Sequence, residues 1–297
     1  MTTANYEELQ TLTASSRNAA GWDLYRHMAE SKDDLFISPT SIQDALAMAL
    51  QGARGLTAEE MTRVLHLPNR QPGTRAWLLR SPGTPGTDFC LRVANALWMQ
   101  KTYRFLPEYL AELRGQFKAC AFRLDFARDP ERSRKLVNQW VEENTERRIR
   151  DLIPAGAVSE STRFVLTNAL YFKATWRRTF SPSSTCDQDF RLLTGETIQV
   201  PTMHATDDYN YFESETYQAI ELPYAGWQYS MRILLPKRRD GLQAFERALR
   251  LEDLDLHSDR FTTRKVALSL PRFKVSWKGS LKETFRALGM RTCFSED

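Results

Sequence analysis

Apolar positions in the first half of the chain recur with the period of an α-helix. From Ile42 to Leu50 they follow the i, i+3, i+4, i+7, i+8 pattern, which predicts an amphipathic helix with one buried face. Gly52 follows this stripe and is expected to end the helix by adopting a positive φ.

The same period predicts further helices. One covers residues 22–29, and Thr57 with Glu60 forms a capping-box pair for a helix that continues to Leu65. Gly289 is the expected C-cap of the last helix. The remaining helices are expected at residues 107–118, 130–148, 241–250 and 280–288.

A two-residue period and continuous apolar runs mark the strands. Positions from Leu91 to Met99, with Asn95 among them, alternate as one face of a strand. Residues 164–172 are apolar on both faces, which predicts a strand in the middle of a sheet. Further strands are expected at residues 190–193, 197–200, 219–222, 229–235 and 266–275, with the first two joined as a hairpin.

The connecting residues indicate one domain. Residues 68–87 are rich in Pro and Gly and predict an exposed connection with one helical turn at 76–79. No repeat or low-complexity linker divides the chain, so we expect a single α+β domain over residues 1–297.

Composition and charge exclude some classes of protein. The chain has 297 residues, 42% hydrophobic, and its 41 basic residues exceed its 37 acidic ones too slightly to favour nucleic acid as a partner. No signal peptide and no apolar run of transmembrane length is visible, so no membrane partner is expected.

The sequence contains little that indicates catalysis or metal binding. It has no nucleophile-elbow, phosphate-loop or Cys-x-x-Cys motif, so we expect no enzyme and no cofactor. The histidines lack metal-ligand spacing and are expected to be surface or satisfied core residues, and the cysteines are expected to be free thiols. These residues are His27, His66, His204 and His257, and Cys90, Cys120, Cys186 and Cys293.

One charged helix face allows two interpretations. Glu142 and Glu143 lie near Arg147, Arg148 and Arg150. A solvated charged face is the ordinary interpretation, and a heparin-like polyanion site is the alternative.

Several segments in sequence order resemble the serpin family of protease inhibitors. Seven segments of this chain are similar to the family pattern. They are Leu35 through Met48, Gly52 through Thr57, Asn138 through Glu142, Asn168 through Lys173 with Trp176, Glu221 through Tyr224, Leu234 through Pro236, and Leu270 through Lys274. Each segment alone is a weak signal, but their order from Leu35 to Met290 is specific.

The resemblance implies a fold and a mechanism. It implies one domain with about nine helices and three β-sheets, here without the last strands. It also implies a suicide substrate: a target serine protease, or alternatively a cysteine protease, is acylated by an exposed loop that then enters the main sheet as an added strand.

The resemblance also assigns roles to four residues. Ser38, Ser41 and Asn168 fall on the polar cluster beneath the strands that part, called the shutter in this family. Trp176 falls near the breach, where the loop first enters. The residues alone also allow an ordinary interpretation of each position. Ser38 and Ser41 would be residues at the start of a helix, and Asn168 would be an amide satisfied by backbone groups. Trp176 would be an aromatic residue of the core.

Two departures from the family pattern modify these expectations. Residues 68–87 replace a family helix that binds polyanions in some relatives, so we expect no heparin-like activation there. The sequence stops at Asp297, before the family's hinge and reactive loop. We therefore expect the 297-residue chain not to inhibit and, with sheet edges exposed, to self-associate.

Other readings remain open. A non-inhibitory serpin-like carrier or chaperone is the alternative function, which the hinge residues would discriminate, and an enzyme comes third. The resemblance implies an extracellular protein, but a cytoplasmic one is equally compatible with the sequence.

Overall fold

A computed structural model describes residues 3–29, 34–67, 89–254 and 260–295. Within these ranges the chain forms eight α-helices and eight strands. The helices are α1 (Thr3–Met28), α2 (Pro39–Gly52), α3 (Gly55–Val64), α4 (Pro107–Gln116), α5 (Pro130–Asn144), α6 (Leu242–Ala248), α7 (Leu251–Leu254) and α8 (Lys282–Ala287). The strands are β1 (Cys90–Gln100), β2 (Cys120–Leu124), β3 (Phe164–Lys173), β4 (Thr185–Arg191), β5 (Thr197–Glu213), β6 (Tyr217–Pro223), β7 (Ser230–Pro236) and β8 (Thr262–Pro271).

The first sheet has three strands in the order β2-β1-β3. Alternation along β1 sends Leu97 and Met99 toward α2 and α4, while Ala96 and Trp98 face α5. The sheet is therefore covered by helices on both faces. It was predicted that β3 would lie in the middle of a sheet, but in the described residues β1 is the middle strand and no strand pairs with the second edge of β3.

The second sheet has five strands, in the order β4-β5-β6-β7 with β8 also paired to β5. Its inner face is apolar, with Tyr209, Ile220, Leu222 and Leu270 buried together. A separate helical core joins α1, α2, α3 and α8 around Leu24 and Met61.

Three strand predictions needed correction at their ends. The strand predicted at 190–193 is β4, which runs from Thr185 to Arg191. The prediction for residues 197–200 was too short, because β5 runs on through the polar residues Asp207, Asp208 and Asn210, which pair with β8. The prediction for 266–275 was displaced by four residues, because β8 begins at Thr262 and ends at Pro271. Phe273 and Val275 alternate with Arg272 and Lys274, but a strand needs a partner, and none pairs with Phe273 or Val275 in the described residues.

The helix ends were also predicted only in part. α2 ends at Gly52 as predicted, but Gly52 is not at positive φ, and Gly55 has φ +54° instead. The capping box at Thr57 and Glu60 is wrong, because α3 already begins at Gly55, without a side-chain cap. Gly289 adopts φ +108° after α8, as its predicted capping role requires.

Some sequence predictions fall outside the described residues, and one strand was missed. The connection at 68–87, its turn at 76–79 and His257 lie outside the described ranges. The short strand β2 was not predicted, because five residues after an amphipathic helix give too few positions to show a period. Among the described helices, none is both long and apolar enough to cross a bilayer.

Candidate functional site

A chain of hydrogen bonds links helix α2 to the three-stranded sheet. The Ser41 hydroxyl donates to Asn168 Oδ1, and Asn168 Nδ2 donates to Asn95 Oδ1 over 2.6 Å. Asn95 Nδ2 then donates to the Phe117 carbonyl over 2.9 Å. We call these three side chains, Ser41, Asn168 and Asn95, the polar chain. It joins α2, β3, β1 and the turn after α4.

The strand register creates this arrangement. Asn168 and Asn95 are directly opposite each other in the antiparallel β1–β3 pair. Both project toward α2, where Asn95 is only 3% exposed. A buried amide without hydrogen-bond partners lowers the free energy of unfolding by about 1–3 kcal/mol. These hydrogen bonds remove that penalty, which apolar neighbours could not remove.

The structure separates the two serines that the sequence grouped. Ser38 Oγ accepts the Ser41 backbone N–H over 3.3 Å, so Ser38 is the N-cap of α2. Of the two serines, only Ser41 hydrogen-bonds Asn168 in the described residues. Asn95 was missed as a site residue, although an amide on the otherwise apolar face of β1 was the signal that could have revealed it.

Trp176 lies where the two sheets meet. It forms an isolated antiparallel bridge with Tyr224, and their rings stack at a centroid distance of 4.6 Å. Phe172 at the end of β3 packs edge-on against the same tyrosine at 5.1 Å. Burial raises the pKa of the Tyr224 phenol, as expected for a hydroxyl inside an aromatic cluster.

A pocket of about 280 Å³ opens beside this aromatic junction. Trp176, Arg177, Tyr209, Glu221 and Trp227 are among its lining residues. The Arg177 guanidinium lies 3.2 Å from the centroid of the exposed Trp227 ring, which is a cation–π contact.

Glu221 is the best-connected acid of this pocket. Burial alone would raise the pKa of its carboxyl, but hydrogen bonds from Ser230 and Asn210 and the charge of Arg232 outweigh burial and hold the pKa below its ordinary value. Glu221 is thus an anchored anion, with each oxygen already accepting a hydrogen bond.

Helix α5, which packs on the other face of the three-stranded sheet, is tied by a polar clamp to the loop that follows it. Asn138 donates to the Ile153 carbonyl and accepts from the Ile153 amide, both over 2.9 Å. Arg134 donates to the same carbonyl over 2.7 Å. The loop after α5 is therefore fixed to the helix, next to the buried Val137.

Comparison with known proteins identifies the family. The family model described as "Serpin (serine protease inhibitor)" matches residues 15–297. The chain belongs to the serpin family. Its α+β fold of helices packed on mixed sheets agrees with this assignment.

Individual relatives span a wide range of organisms. An uncharacterized serpin-like protein of Thermococcus kodakarensis is 39% identical over 281 residues, 93% of this chain and 65% of the relative. Human serpin B3 is 35% identical over 93% of this chain and 77% of its own length. Bovine leukocyte elastase inhibitor is 36% identical over 96% of this chain and 78% of its own length.

Solved structures show the same fold. Emu ovalbumin superposes with a TM-score of 0.89 at 26% identity, covering 95% of this chain and 79% of ovalbumin. A cleaved serpin 42Da superposes with a TM-score of 0.88 at 33% identity, covering 96% of this chain and 78% of that protein. This chain thus spans 65% of the length of the archaeal relative and slightly under four fifths of the others.

Proposed function

We propose that this chain is the body of a serpin-type inhibitor of serine proteases, which acts as a suicide substrate by accepting a cleaved loop as a new strand beside β3. The observation that carries the proposal is the match of residues 15–297 to the family model described as "Serpin (serine protease inhibitor)". In the described residues β3 also offers an edge that no strand occupies. A row of unpaired backbone N–H and C=O groups is the template that strand addition requires.

The polar chain supports this role because of its position. A strand can enter beside β3 only if β3 and the helix behind it can shift. Hydrogen-bonded amides and hydroxyls can exchange partners during such a shift, whereas interdigitated apolar side chains would leave cavities. In this proposal Ser41 and Asn168 form the shutter, Ser38 shapes α2 beside it, and Trp176 marks the breach.

The family description supports inhibition rather than catalysis. The partner in this proposal is a serine protease, since the bovine relative is an inhibitor of leukocyte elastase by name. Residues 1–297 belong in this proposal to one domain. An extracellular location stays a prediction.

A chimera tests whether this body can accept a strand. The C-terminal part of bovine leukocyte elastase inhibitor, taken from the residue that follows Asp297 in the alignment, is fused to the 297-residue chain and incubated with elastase. We expect a covalent adduct that resists SDS, and the unfused chain provides the baseline.

A matched control separates insertion from simple cleavage. The same chimera with a charged residue in the grafted hinge should be cut without forming an adduct, because a charge cannot enter the sheet interior without a large desolvation cost. If the unmodified chimera folds cooperatively and is only cleaved, the proposal fails.

A carrier is the second candidate, and the pocket beside Trp176 favours it. Two aromatic rings, Trp176 and Trp227, with Arg177 and Glu221 nearby, suit a small ligand with an apolar body and a polar end. Ligand binding would change the tryptophan fluorescence, and Trp227→Ala should abolish that change. Adduct formation by the chimera without any such ligand would favour the inhibitor.

A further inference from the structure

Three side chains with linked chemistry lie on the exposed face of the β4–β5–β8 part of the second sheet. His204 on β5 is directly opposite Ser269 on β8. Cys186 on β4 is opposite Thr202, two residues from His204 on β5, and so projects from the same face as His204. The thiol and the serine are both exposed, while His204 is half-buried between them.

The imidazole contacts both neighbours. Cys186 Sγ lies 3.6 Å from His204 Nε2, and His204 Nδ1 lies 3.0 Å from Ser269 Oγ. A neutral imidazole has one N–H donor and one acceptor nitrogen. When Nδ1–H donates to Ser269, Nε2 is the acceptor and faces the thiol proton, which is the arrangement of an activated nucleophile with an orienting third group.

We propose that Cys186 is a thiol–disulfide exchange site for small-molecule disulfides, with His204 as its proton acceptor and Ser269 as the positioning residue for the ring. In the step, the Cys186 proton moves to His204 Nε2 and the sulfur attacks one sulfur of the disulfide. A Cys186–S–S–R bond forms, the original S–S bond breaks, and the leaving thiolate takes the proton from His204. The product is a mixed disulfide and one free small thiol.

The other cysteines lack this arrangement and provide internal controls. Cys120 on β2 is exposed, and in the part of the chain that the structure describes no histidine contacts it. Cys293 is also exposed as a residue, but partial burial of its thiol is the main reason that its pKa is raised. Cys90 is only half-exposed and interacts with Arg92. Cys120 is therefore the matched reference thiol.

The location gives the modification a structural consequence. β4 pairs only with β5 and forms an edge of the second sheet in the described residues. An adduct on Cys186 would cover part of that edge without touching β3 or the polar chain. The inference therefore does not depend on protease inhibition, and either can fail alone.

Site-resolved labelling tests the proposal. The native 297-residue chain is treated with dithiodipyridine at pH 7, quenched with acid, and analysed by mass spectrometry of its peptides. We expect Cys186 to react about ten times faster than Cys120, a modest factor for base assistance at an exposed site. A Cys186 rate equal to or below that of Cys120 would overturn the proposal.

Variants of the two helpers show whether the imidazole and its orientation matter. His204→Gln keeps a side chain able to hydrogen-bond Ser269 but cannot accept the proton, so the Cys186 rate should fall to that of Cys120. Ser269→Ala should give an intermediate rate, and Ser269→Thr, which keeps the hydroxyl, should restore it. His66→Gln, at a histidine paired with Asp23, is the control and should change nothing.

The labelling experiment still decides the proposal if one variant is unstable. Near-UV circular dichroism and an unchanged rate at the half-exposed Cys90 report whether each variant is folded. If His204→Gln is folded and Cys186 reacts at the wild-type rate, the imidazole has no role and the proposal is wrong. If His204→Gln does not fold, the comparison of Ser269→Ala with Ser269→Thr decides in the same way.

Discussion

The two sheets are attached to the rest of the molecule by different kinds of contact. The three-stranded sheet meets α2 partly through the polar chain, in which Ser41, Asn168 and Asn95 hydrogen-bond in series. The five-stranded sheet encloses an apolar cluster around Tyr209 and Leu222.

This difference indicates which part of the molecule can rearrange. Close-packed apolar side chains resist displacement, because any shift opens voids and loses contacts. A polar chain keeps its energy only while its partners are present, but it can re-form in a shifted register. The first sheet also packs through apolar clusters, so the polar chain is what distinguishes it. In the proposed function the first sheet accepts the added strand, and the second sheet is the rigid base.

The largest expected effect is in the apolar cluster. Leu222 is 4% exposed, and Leu222→Ala should lower the free energy of unfolding by about 2–5 kcal/mol through lost burial and a residual cavity. Urea unfolding followed by tryptophan fluorescence measures this. Leu235→Ala on β7 is the matched control, since Leu235 is 59% exposed and should lose less than about 0.5 kcal/mol. Equal losses would contradict the rigid-base interpretation.

A smaller effect is expected in the polar chain. Asn168→Ala removes the partners of the Ser41 hydroxyl and of Asn95 Oδ1, which should cost about 1–3 kcal/mol. Hydrogen exchange should rise in α2 and β3 but not in β8. In a double-mutant cycle, Ser41→Ala and Asn168→Ala should be non-additive, and strict additivity would show that the contact carries no energy.

The helix cap should have a still smaller and separate effect. Ser38→Ala removes the side-chain acceptor at the start of α2 and should cost about 1 kcal/mol, while Ser38→Gly should cost only a few tenths. Because Ser38 has no hydrogen bond to Asn168 in the described residues, its effect should add to that of Asn168→Ala. Strong coupling between the two would place Ser38 in the polar chain after all.

The last prediction concerns how the free energy of unfolding depends on pH in the acid range. The backbone amides of Thr292 and Arg291 each donate to Glu60 Oε2 over 2.8 Å, and these hydrogen bonds hold the Glu60 pKa below its ordinary value. A carboxyl with a lowered folded-state pKa stabilises the protein above its unfolded pKa, and this stabilisation is lost as pH falls through the folded pKa.

Glu60→Gln tests that linkage. The variant should be less stable than the wild type at neutral pH, and the difference should disappear in acid, which urea midpoints between about pH 3 and 7 would show. Glu59→Gln, at the exposed neighbour on α3, should show no such convergence. A difference that is independent of pH would exclude the charged form of Glu60 as the cause.

The helices and the ordinary strands could be predicted from the chain because their signals are local. The stripe from Ile42 to Leu50 places α2, and the capping tendency of Gly289 ends α8, whatever the rest of the molecule does. The failures at Asp207 and Phe273 have a different cause, because each depended on a partner distant in sequence: the pairing of β5 with β8, and a strand beside Phe273 that the described residues do not contain. The failure at Thr57 was local, since α3 begins two residues earlier, at Gly55.

The family followed from the sequence, because a specific order of short motifs runs from Leu35 to Met290. The same motifs supplied the candidates Ser38, Ser41, Asn168 and Trp176, but not Asn95. Which of those residues touch was decided by the tertiary structure alone. Asn95 faces Asn168 only through the register of β1 against β3, and Ser41 rather than Ser38 reaches it only because α2 begins where it does. Sequence periodicity records which face a side chain occupies, whereas hydrogen bonds between elements depend on how separate elements are placed against each other.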